Sequence, residues 1–495
     1  MPIADEVDPR ATARMLHDRL TVLRATLAED GDRTLARWTP GIRRAEFLRS
    51  AANLADWLAL RRMDLAPLQA PLSRLGLSTL GRLDAHVRPS VDAVIAALAA
   101  IAGEEAAFPD AGAIGAGRAV LARRRDDLFG ARCGGPQTRI MVTLPTEAAQ
   151  DGALIRRLVA GGADCFRINC AHDGPEIWAR MIGHIRAAEV ATGRRVPVSM
   201  DLGGPKFRIG AVSPTGKHRL FAGDRFAIAP TLKQVAGGML GATLSHEALL
   251  GALVPGAEIS VDDGKLWARV VERIGGAAVL EVTRAPAKGA KIKPEKGVNL
   301  PGADLRVEAL TAEDLDALDF VVRQADIVAY SFVQTAADVR ALVGAMQARA
   351  AGGRMPAILL KIETPLGLRN LPELIVEAGS VLPVAVMIAR GDLAVEIGFE
   401  RLSEIQEEIL WLCEAAQVPV VWATQVLEGM VSAGQASRAE VTDAAMGQRA
   451  ECVMLNKGPF IVEAVDFLRG ILVRMDRHQN KKSARLGALG LWADL

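Results

Sequence analysis

Eight short apolar runs spaced along residues 139–457 constrain this chain more than any other feature. They read RIMVTL (139–144), CFRIN (165–169), VPVSMDL (196–202), IVAYSF (327–332), AILLKI (357–362), VAVMIA (384–389), VPVVWAT (418–424) and ECVMLNK (451–457). Amphipathic stretches such as 154–160 and 402–415 separate nearly all of them. Runs this apolar, joined by helical crossovers, describe parallel strands covered on both faces. Eight such strands is the count of a (β/α)8 barrel, whose ligands sit beyond the carboxyl ends of the strands. One gap breaks the rhythm: about 125 residues part the third run from the fourth, too many for one crossover. Within it AEISVDDG, KLWARVVERI and AVLEVTRA alternate as half-buried strands do. A small β domain inserted in a barrel loop is the expectation, placed where a lid would exclude water.

The ends of the runs carry the chemistry. In order they present Thr143; Arg167 and Asn169; Asp201 with Lys206 and Arg208; Ser331; Lys361 and Glu363; Arg390 and Asp392; Thr424; and Asn456 with Lys457. Residues 357–394 show the pattern most clearly, because AILLKI ends in Lys361 before Glu363 and VAVMIA ends in Arg390-Gly391-Asp392. A lysine and two carboxylates at successive strand ends can face one ligand, and carboxylates suit Mg2+. For that segment alone the plainer alternative is an ion pair between loops. Polar or charged groups at nearly every strand end are harder to explain as structure. Together they suit a phosphorylated acid and Mg2+, with cations neutralising charge and the metal bridging oxygens.

Composition removes several other classes. Lysine and arginine number 59 against 58 acidic residues, which gives no electrostatic basis for binding nucleic acid or an anionic membrane. Charges interrupt every long apolar run before the ~18 residues a spanning helix requires. The opening residues MPIADEVDPR are acidic and lack the apolar core of a signal peptide. Five cysteines are scattered without CxxC spacing, as buried thiols in a reducing cytoplasm would be. Residues 1–135 read as helices near 10–29, 42–62, 66–82 and 90–104, the last capped by Ser90 with Val91, Val94, Ile95, Leu98 and Ile101 as its apolar stripe. Arg123-Arg124-Arg125 reads as a solvated helix end leading to a linker. Two phosphate-loop resemblances fail. Gly115-Ala116-Gly117 has no strand before it and Val120 in place of a third glycine, and Gly210 to Gly216-Lys217 has the wrong spacing with His218 where Ser or Thr is needed. Both are expected to be ordinary loops. The layout is then a helical region at 1–135, a barrel from 136 to 478 interrupted by a β-rich insertion at 211–295, and a tail at 479–495.

These residues resemble the pyruvate kinase family across about 137–475. The matching motifs are RINCAH (167–172), MDLGGPKFRIG (200–210), VDDG (261–264), KGVNLPG (296–302), SF (331–332), KIE (361–363), ARGDLAVEI (389–397), ATQVLEGM (423–430) and SRAEVTDAA (437–445). The resemblance implies a (β/α)8 barrel over 136–207 and 297–478 with a β-barrel lid at roughly 208–296, transferring a phosphoryl group between phosphoenolpyruvate and ADP. It implies Mg2+ (or Mn2+) held by Glu363 and Asp392, and Lys361 steadying the transferring phosphoryl group. Backbone amides at Gly391 and Asp392 would bind the substrate carboxylate, with Thr424 orienting it near the proton route. Arg167, Asn169, His172 and Arg208 would line the nucleotide and phosphate side, and Asn169, Asp201 and Leu202 the monovalent-cation site.

Three departures qualify the resemblance. Ala171 stands where the family commonly has serine, and Lys206 where many members have glutamate; an ammonium there would take the charge role of K+, so K+ is not expected to be required. Asn456-Lys457-Gly458 replaces the family's Ser-Gly-Glu, which puts proton delivery to the enolate in question. The chain ends at Leu495, soon after the eighth helix, so the family's C-terminal effector domain is not expected, and residues 1–135 are an addition the resemblance does not explain. A cytoplasmic homo-oligomer joined through the barrel or the N-terminal helices is the expectation. Two other readings stay open: a phosphoryl transferase acting on another enol phosphate, and a metabolite-binding regulatory protein without turnover.

Overall fold

The structure is a computed structural model that describes residues 8–132, 134–214, 219–246, 248–302, 307–350, 352–481 and 483–484. The expected barrel is at its centre. Strands β1 (Arg139–Thr143), β2 (Cys165–Asn169) and β3 (Val198–Asp201) precede an insertion that contains β4 (Ile209–Ser213), β5 (Arg225–Ile228), β6 (Leu240–Leu244), β7 (Glu258–Val261), β8 (Leu266–Ile274), β9 (Ala277–Arg284) and β10 (Val298–Asn299). The barrel resumes with β11 (Ile327–Tyr330), β12 (Ala357–Ile362), β13 (Val384–Ala389), β14 (Val420–Ala423) and β15 (Cys452–Leu455). All eight barrel strands are parallel, and β1 closes on β15 with Arg139 beside Cys452. Every residue of β12 and β13 is buried, which accounts for runs that are continuously apolar rather than alternating. Lys361 pairs in register with Met387 and Ile362 with Ile388, so the two strands end level. That register brings Glu363 and the Arg390-Gly391-Asp392 turn to one rim.

The insertion forms a seven-stranded sheet in the order β10-β7-β8-β9-β5-β6-β4. Its edges nearly meet, because Arg208, just before β4, bridges Gly297, just before β10. Phe226, Ile228, Val270 and Leu280 belong to its own buried core, separate from that of the barrel.

The N-terminal region differs from the sequence reading in instructive ways. Helix α1 (Pro9–Trp38) runs well past residue 29, α2 (Ala45–Leu60) is slightly shorter than expected, and α3 (Ala66–Arg74) stops early. Gly31 does not break α1: a Cβ there would strike Asp56 of α2, so the glycine allows two helices to approach, and Arg88 bridges Asp32 and Asp56 at 2.5 and 2.7 Å. Helix α4 (Val87–Ala102) begins before Ser90, whose hydroxyl lies 2.7 Å from His86 Nδ1 and caps nothing. Val91, Val94 and Leu98 are buried as the stripe required. The Gly115-Gly117 segment is not a loop. It lies in α5 (Ala113–Phe129), where a Cβ at Gly117 would collide with the Ala85 carbonyl. Gly216, Lys217 and His218 lie outside the described residues, as does most of the 479–495 tail.

Of Arg123–Arg125 only Arg123 is exposed as a solvated helix end would be. Arg124 donates to the carbonyls of Gln417 (2.9 Å) and Ala416 (3.3 Å) and covers the Phe47 ring at 5.4 Å. Beyond it, Leu128 and Phe129 enter the cluster formed by Met141, Leu359, Met387 and Met454 inside the barrel. Helix α5 therefore plugs the barrel floor. Helix α2 seats against the helices Leu371–Val381 and Phe399–Ala415, with the N–H groups of Arg43 and Arg44 both donating to the Ser380 carbonyl. No described helix is long and apolar enough to cross a membrane.

Gly379, inside the helix Leu371–Val381, tests this seat, because a Cβ there would lie 2.5 Å from the Phe47 ring. In an unobstructed helix, glycine to alanine stabilises by about 0.5–1 kcal/mol. Here Gly379→Ala is expected to destabilise by about 1–3 kcal/mol, the ordinary cost of overpacking. Denaturant unfolding reads the sign; a gain in stability would show that Phe47 does not pack there.

Candidate functional site

Lys361 leaves the end of β12 almost fully buried, with 8% of its surface exposed. Its Nζ donates to Ser331 Oγ at 2.7 Å and lies 3.4 Å from both Asp201 Oδ2 and Glu363 Oε1. Ser331 Oγ in turn donates to the Leu202 carbonyl at 2.7 Å, which ties the ends of β11 and β3 to the lysine. Arg167 approaches Asp201 from β2, with Nε 2.7 Å from Oδ2 and Nη1 3.2 Å from Thr143 Oγ1. Burial drives the Asp201 carboxyl up, but Arg167 and Lys361 outweigh it and hold its pKa below the ordinary value. Asp201 Oδ1 is buried and has no hydrogen-bond partner among the described residues. An orphaned carboxylate oxygen beside the Leu202 backbone has the chemistry of a cation ligand, since burying it unpaired is costly.

Glu363 is 3% exposed, and its Oε2 accepts the Phe332 N–H at 2.6 Å. Burial raises its pKa, Lys361 resists and Asp392 adds to the rise. Asp392 lies in the first turn of the helix Arg390–Ile397, and Lys206 Nζ lies 2.9 and 3.2 Å from its two oxygens. Burial lowers the Lys206 pKa, yet Asp392, Asp263 and Glu363 together leave it raised. Glu363 and Asp392 thus each rest against an ammonium, Lys361 and Lys206, and as two hard oxygen donors near one another they fit a hard cation. No group of three or more His, Cys, Asp or Glu side chains converges among the described residues. Two protein carboxylates, with substrate oxygens and water completing the shell, is the usual arrangement for Mg2+.

Lys206 lies at Asp392, whereas the sequence reading set it with Asn169, Asp201 and Leu202. The reason is the lid: Lys206 sits in the strand linker into the insertion, where Asp263 of the lid also faces it and the Gly297 backbone presses on its stem. Asn169 folds back to accept the Ala171 N–H at 3.1 Å. Arg208 donates to the Glu295 carbonyl of the lid at 2.9 Å.

Thr424 stands just beyond β14 with φ +64°, an uncommon conformation for a β-branched residue. Its Oγ1 accepts the Gly391 N–H at 2.7 Å, so that amide is engaged by the chain itself. Arg390 holds the same turn from beneath. It donates to the carbonyls of Ala423 (2.9 Å) and Thr424 (2.7 Å), forms a bidentate pair with Asp443 and stacks 4.5 Å over Trp422. Asp443 was missed as a functional residue although its motif, SRAEVTDAA, was legible; nothing in that motif reveals that it meets Arg390.

On the far side of Arg167 a cavity of about 310 Å3 is lined by Asn169, His172, Glu428, Asn456 and Lys457, among others. Burial, then Lys457 and Arg208, lower the His172 pKa. Asn456 Nδ2 lies 3.4 Å from Glu428 Oε2, so the divergent eighth strand end faces this cavity.

Comparison with known proteins gives the family. The barrel-domain model of pyruvate kinase matches residues 135–465. The chain belongs to the pyruvate kinase family. A pyruvate kinase of Agrobacterium vitis is 35% identical over 353 residues, covering 70% of this chain and 69% of that protein. A pyruvate kinase of Methylorubrum extorquens is 35% identical over 354 residues, covering 69% of each chain. Pyruvate kinase 2 of Synechocystis is 31% identical over 349 residues, covering 69% of this chain and 57% of that protein. In this pyruvate kinase-like enzyme Lys361 lies beside Glu363 and Asp201, Arg167 meets Asp201, Gly391 is bonded to Thr424 next to Asp392, and Asn169 and His172 line the cavity beside Arg167.

The cationic wall has a measurable signature. His172 is expected to titrate below 6.5 and to be neutral at pH 7, and Lys457→Gln should raise its midpoint by removing one repulsive charge. Because folding disfavours its protonation, this residue's contribution to stability declines as pH falls from 6.5 toward the folded midpoint. A 1H–13C NMR titration of the imidazole checks both; an unchanged midpoint in Lys457→Gln would separate the two side chains.

Proposed function

We propose that this chain transfers the phosphoryl group of phosphoenolpyruvate to ADP, giving pyruvate and ATP, with Mg2+ (or Mn2+) as cofactor, as glycolysis requires. The observation that carries the reading is the buried Lys361 ammonium, placed level with Glu363 and one strand from Asp392 under the lid. A bound divalent ion would supply Lewis-acid polarisation of the substrate's oxygens, with Glu363 and Asp392 as its protein ligands. Lys361 neutralises charge on the phosphoryl group in flight, in surroundings dry enough for one ammonium to count heavily. The Arg390-Asp443 pair fixes Thr424, whose hydroxyl orients the substrate carboxylate together with the Asp392 end of the short helix. Arg167, Asn169, His172 and Arg208 receive the nucleotide phosphates, and Lys457 adds a cation to that side. The 208–296 unit acts as the lid; β10 pairs with its β7 and carries Asn299, whose Nδ2 donates to Glu396 of the barrel at 3.0 Å, which supports a closed position. When the P–O bond of phosphoenolpyruvate breaks, the remaining enolate takes a proton at carbon to become pyruvate.

Lys206 supports a second element of the proposal, activity without K+. Its ammonium brings into the cleft the single positive charge that K+ would otherwise contribute, although it rests on Asp392 and leaves Asp201 Oδ1 open. Turnover is expected to persist when K+ is replaced by tetramethylammonium at saturating Mg2+, and Lys206→Glu should introduce K+ dependence. Loss of wild-type turnover in tetramethylammonium would instead make Asp201 Oδ1 a K+ ligand.

A lactate-dehydrogenase-coupled assay with phosphoenolpyruvate, ADP and Mg2+ tests the reaction itself. Lys361→Met should lose about 10²–10³-fold or more in kcat, the usual cost of removing one electrostatic donor, while Mn2+ binding followed by electron paramagnetic resonance changes little. Absence of pyruvate from the wild type would remove the proposal, and comparable rates in Lys361→Met would remove the role given to that lysine.

A further inference from the structure

A second cavity, of about 690 Å3, lies at the opposite end of the barrel, beside the segments that lead into β1, β2 and β3 and the helix Ile461–Met475. Four arginines, Arg132, Arg194, Arg195 and Arg469, line it, and no carboxylate does. Their charge is only partly compensated from behind. Arg132 and Arg194 share one carboxylate, Asp164, with Arg132 contacts at 3.0 and 2.6 Å and an Arg194 contact at 3.3 Å. Asp164 is 2% exposed and already accepts the Ile140 N–H at 2.9 Å. Arg195 shares Asp326 with Arg186, at 2.8 and 3.0 Å, and Glu189 also pairs with Arg186. Arg469 has no carboxylate partner among the described residues. Five guanidiniums thus meet three carboxylates, Asp164, Asp326 and Glu189, which leaves two positive charges in excess at a concave surface. The chain as a whole carries a net charge of only +1.

The arrangement is built into the backbone. Gly162 has φ +120°, and a Cβ there would sit 2.9 Å from Arg469 Cδ, so the glycine lets the arginine stem cross the turn toward Arg132. Burial lowers the Arg194 pKa, Asp164 opposes that and Arg132 adds to it, as crowded like charges do.

We propose that this cleft is a binding site for a small phosphomonoester, whose phosphate dianion supplies the two missing negative charges. Guanidinium forks match phosphate oxygens in geometry as well as charge. The volume lies within the range of small-molecule sites. A polyanion would require a continuous basic stripe, whereas the excess here is confined to one hollow. The location gives the site a route to the barrel mouth. Asp164 immediately precedes β2 and holds the Ile140 amide of β1, and Arg194 and Arg195 precede β3. An anion that draws on these arginines acts on the roots of the strands that end in Arg167, Asn169 and Asp201.

Isothermal titration calorimetry of the full chain with glycerol 2-phosphate, at ionic strength held constant with chloride, tests the site. The cleft under the lid also accepts phosphates, so Lys361→Met is titrated beside the wild type. A binding event retained in Lys361→Met and weakened about tenfold or more by Arg469→Gln is expected, the loss of one charge-assisted contact. The Arg469 side chain is exposed and unpaired, which keeps folding out of the comparison, and Arg195→Gln should weaken the same event. Equal affinity in the wild type and both arginine variants overturns the proposal. So does binding no stronger than that of chloride, or tighter binding of a DNA oligonucleotide through the same arginines.

Discussion

The burial of the Lys361 ammonium is the constraint on which the upper end of this molecule depends. A charge removed from water costs several kcal/mol unless partners replace the solvent. Asp201, Glu363 and the Ser331 hydroxyl do so here, and each comes from a different strand end. Their own demands extend the network. Asp201 recruits Arg167, Glu363 takes the Phe332 amide and Ser331 takes the Leu202 carbonyl. Four strand ends, those of β2, β3, β11 and β12, are thereby held to one centre of charge. The arrangement is a rigid platform, which electrostatic catalysis favours because little reorganisation remains to be done during reaction.

That platform needs a firm base. Inside the barrel the packing ends in Leu128 and Phe129 of α5, so residues outside the barrel complete its core. Arg124, Arg43 and Arg44 then tie the N-terminal helices to the carbonyls at 416–417, 379 and 380. The additional helical region is structurally part of the barrel's floor, and the arginine-lined cleft lies close to the same end. At the other end the lid meets the barrel through Asn299 and Glu396, and through Lys206 and Asp392. Both ends of the barrel are therefore closed by segments that do not belong to its eight repeats.

Much of this was legible because fully buried parallel strands leave a plain trace. Continuous apolar runs located all eight strands, and the polar residue that ends each run located Lys361, Glu363, Asp392 and Thr424. Glycine was the hardest residue to read. Gly115 and Gly117 look like a loop, yet they lie in a helix and Gly117 lets it pass the Ala85 carbonyl, which depends on a neighbour distant in sequence. Ser90 illustrates the same limit, since His86 begins the turn that a local rule assigned to the serine. Arg123–Arg125 resembled a solvated charge run because no local pattern announces Phe47 or the carbonyls at 416 and 417.

The sequence by itself determined which residues could carry charge to a strand end, and in what order, since periodicity and the final residue of each run are local properties. Tertiary structure alone decided which of those charges meet. Lys206 faces Asp392 rather than Asp201 because the lid closes over it, and Arg390 supports Thr424 because Asp443 arrives from 53 residues away. Four arginines from two separate segments gather around Asp164 and Asp326 for the same reason. Electrostatic partnership falls off with distance in space, and the sequence contains no measure of that distance until the barrel has closed.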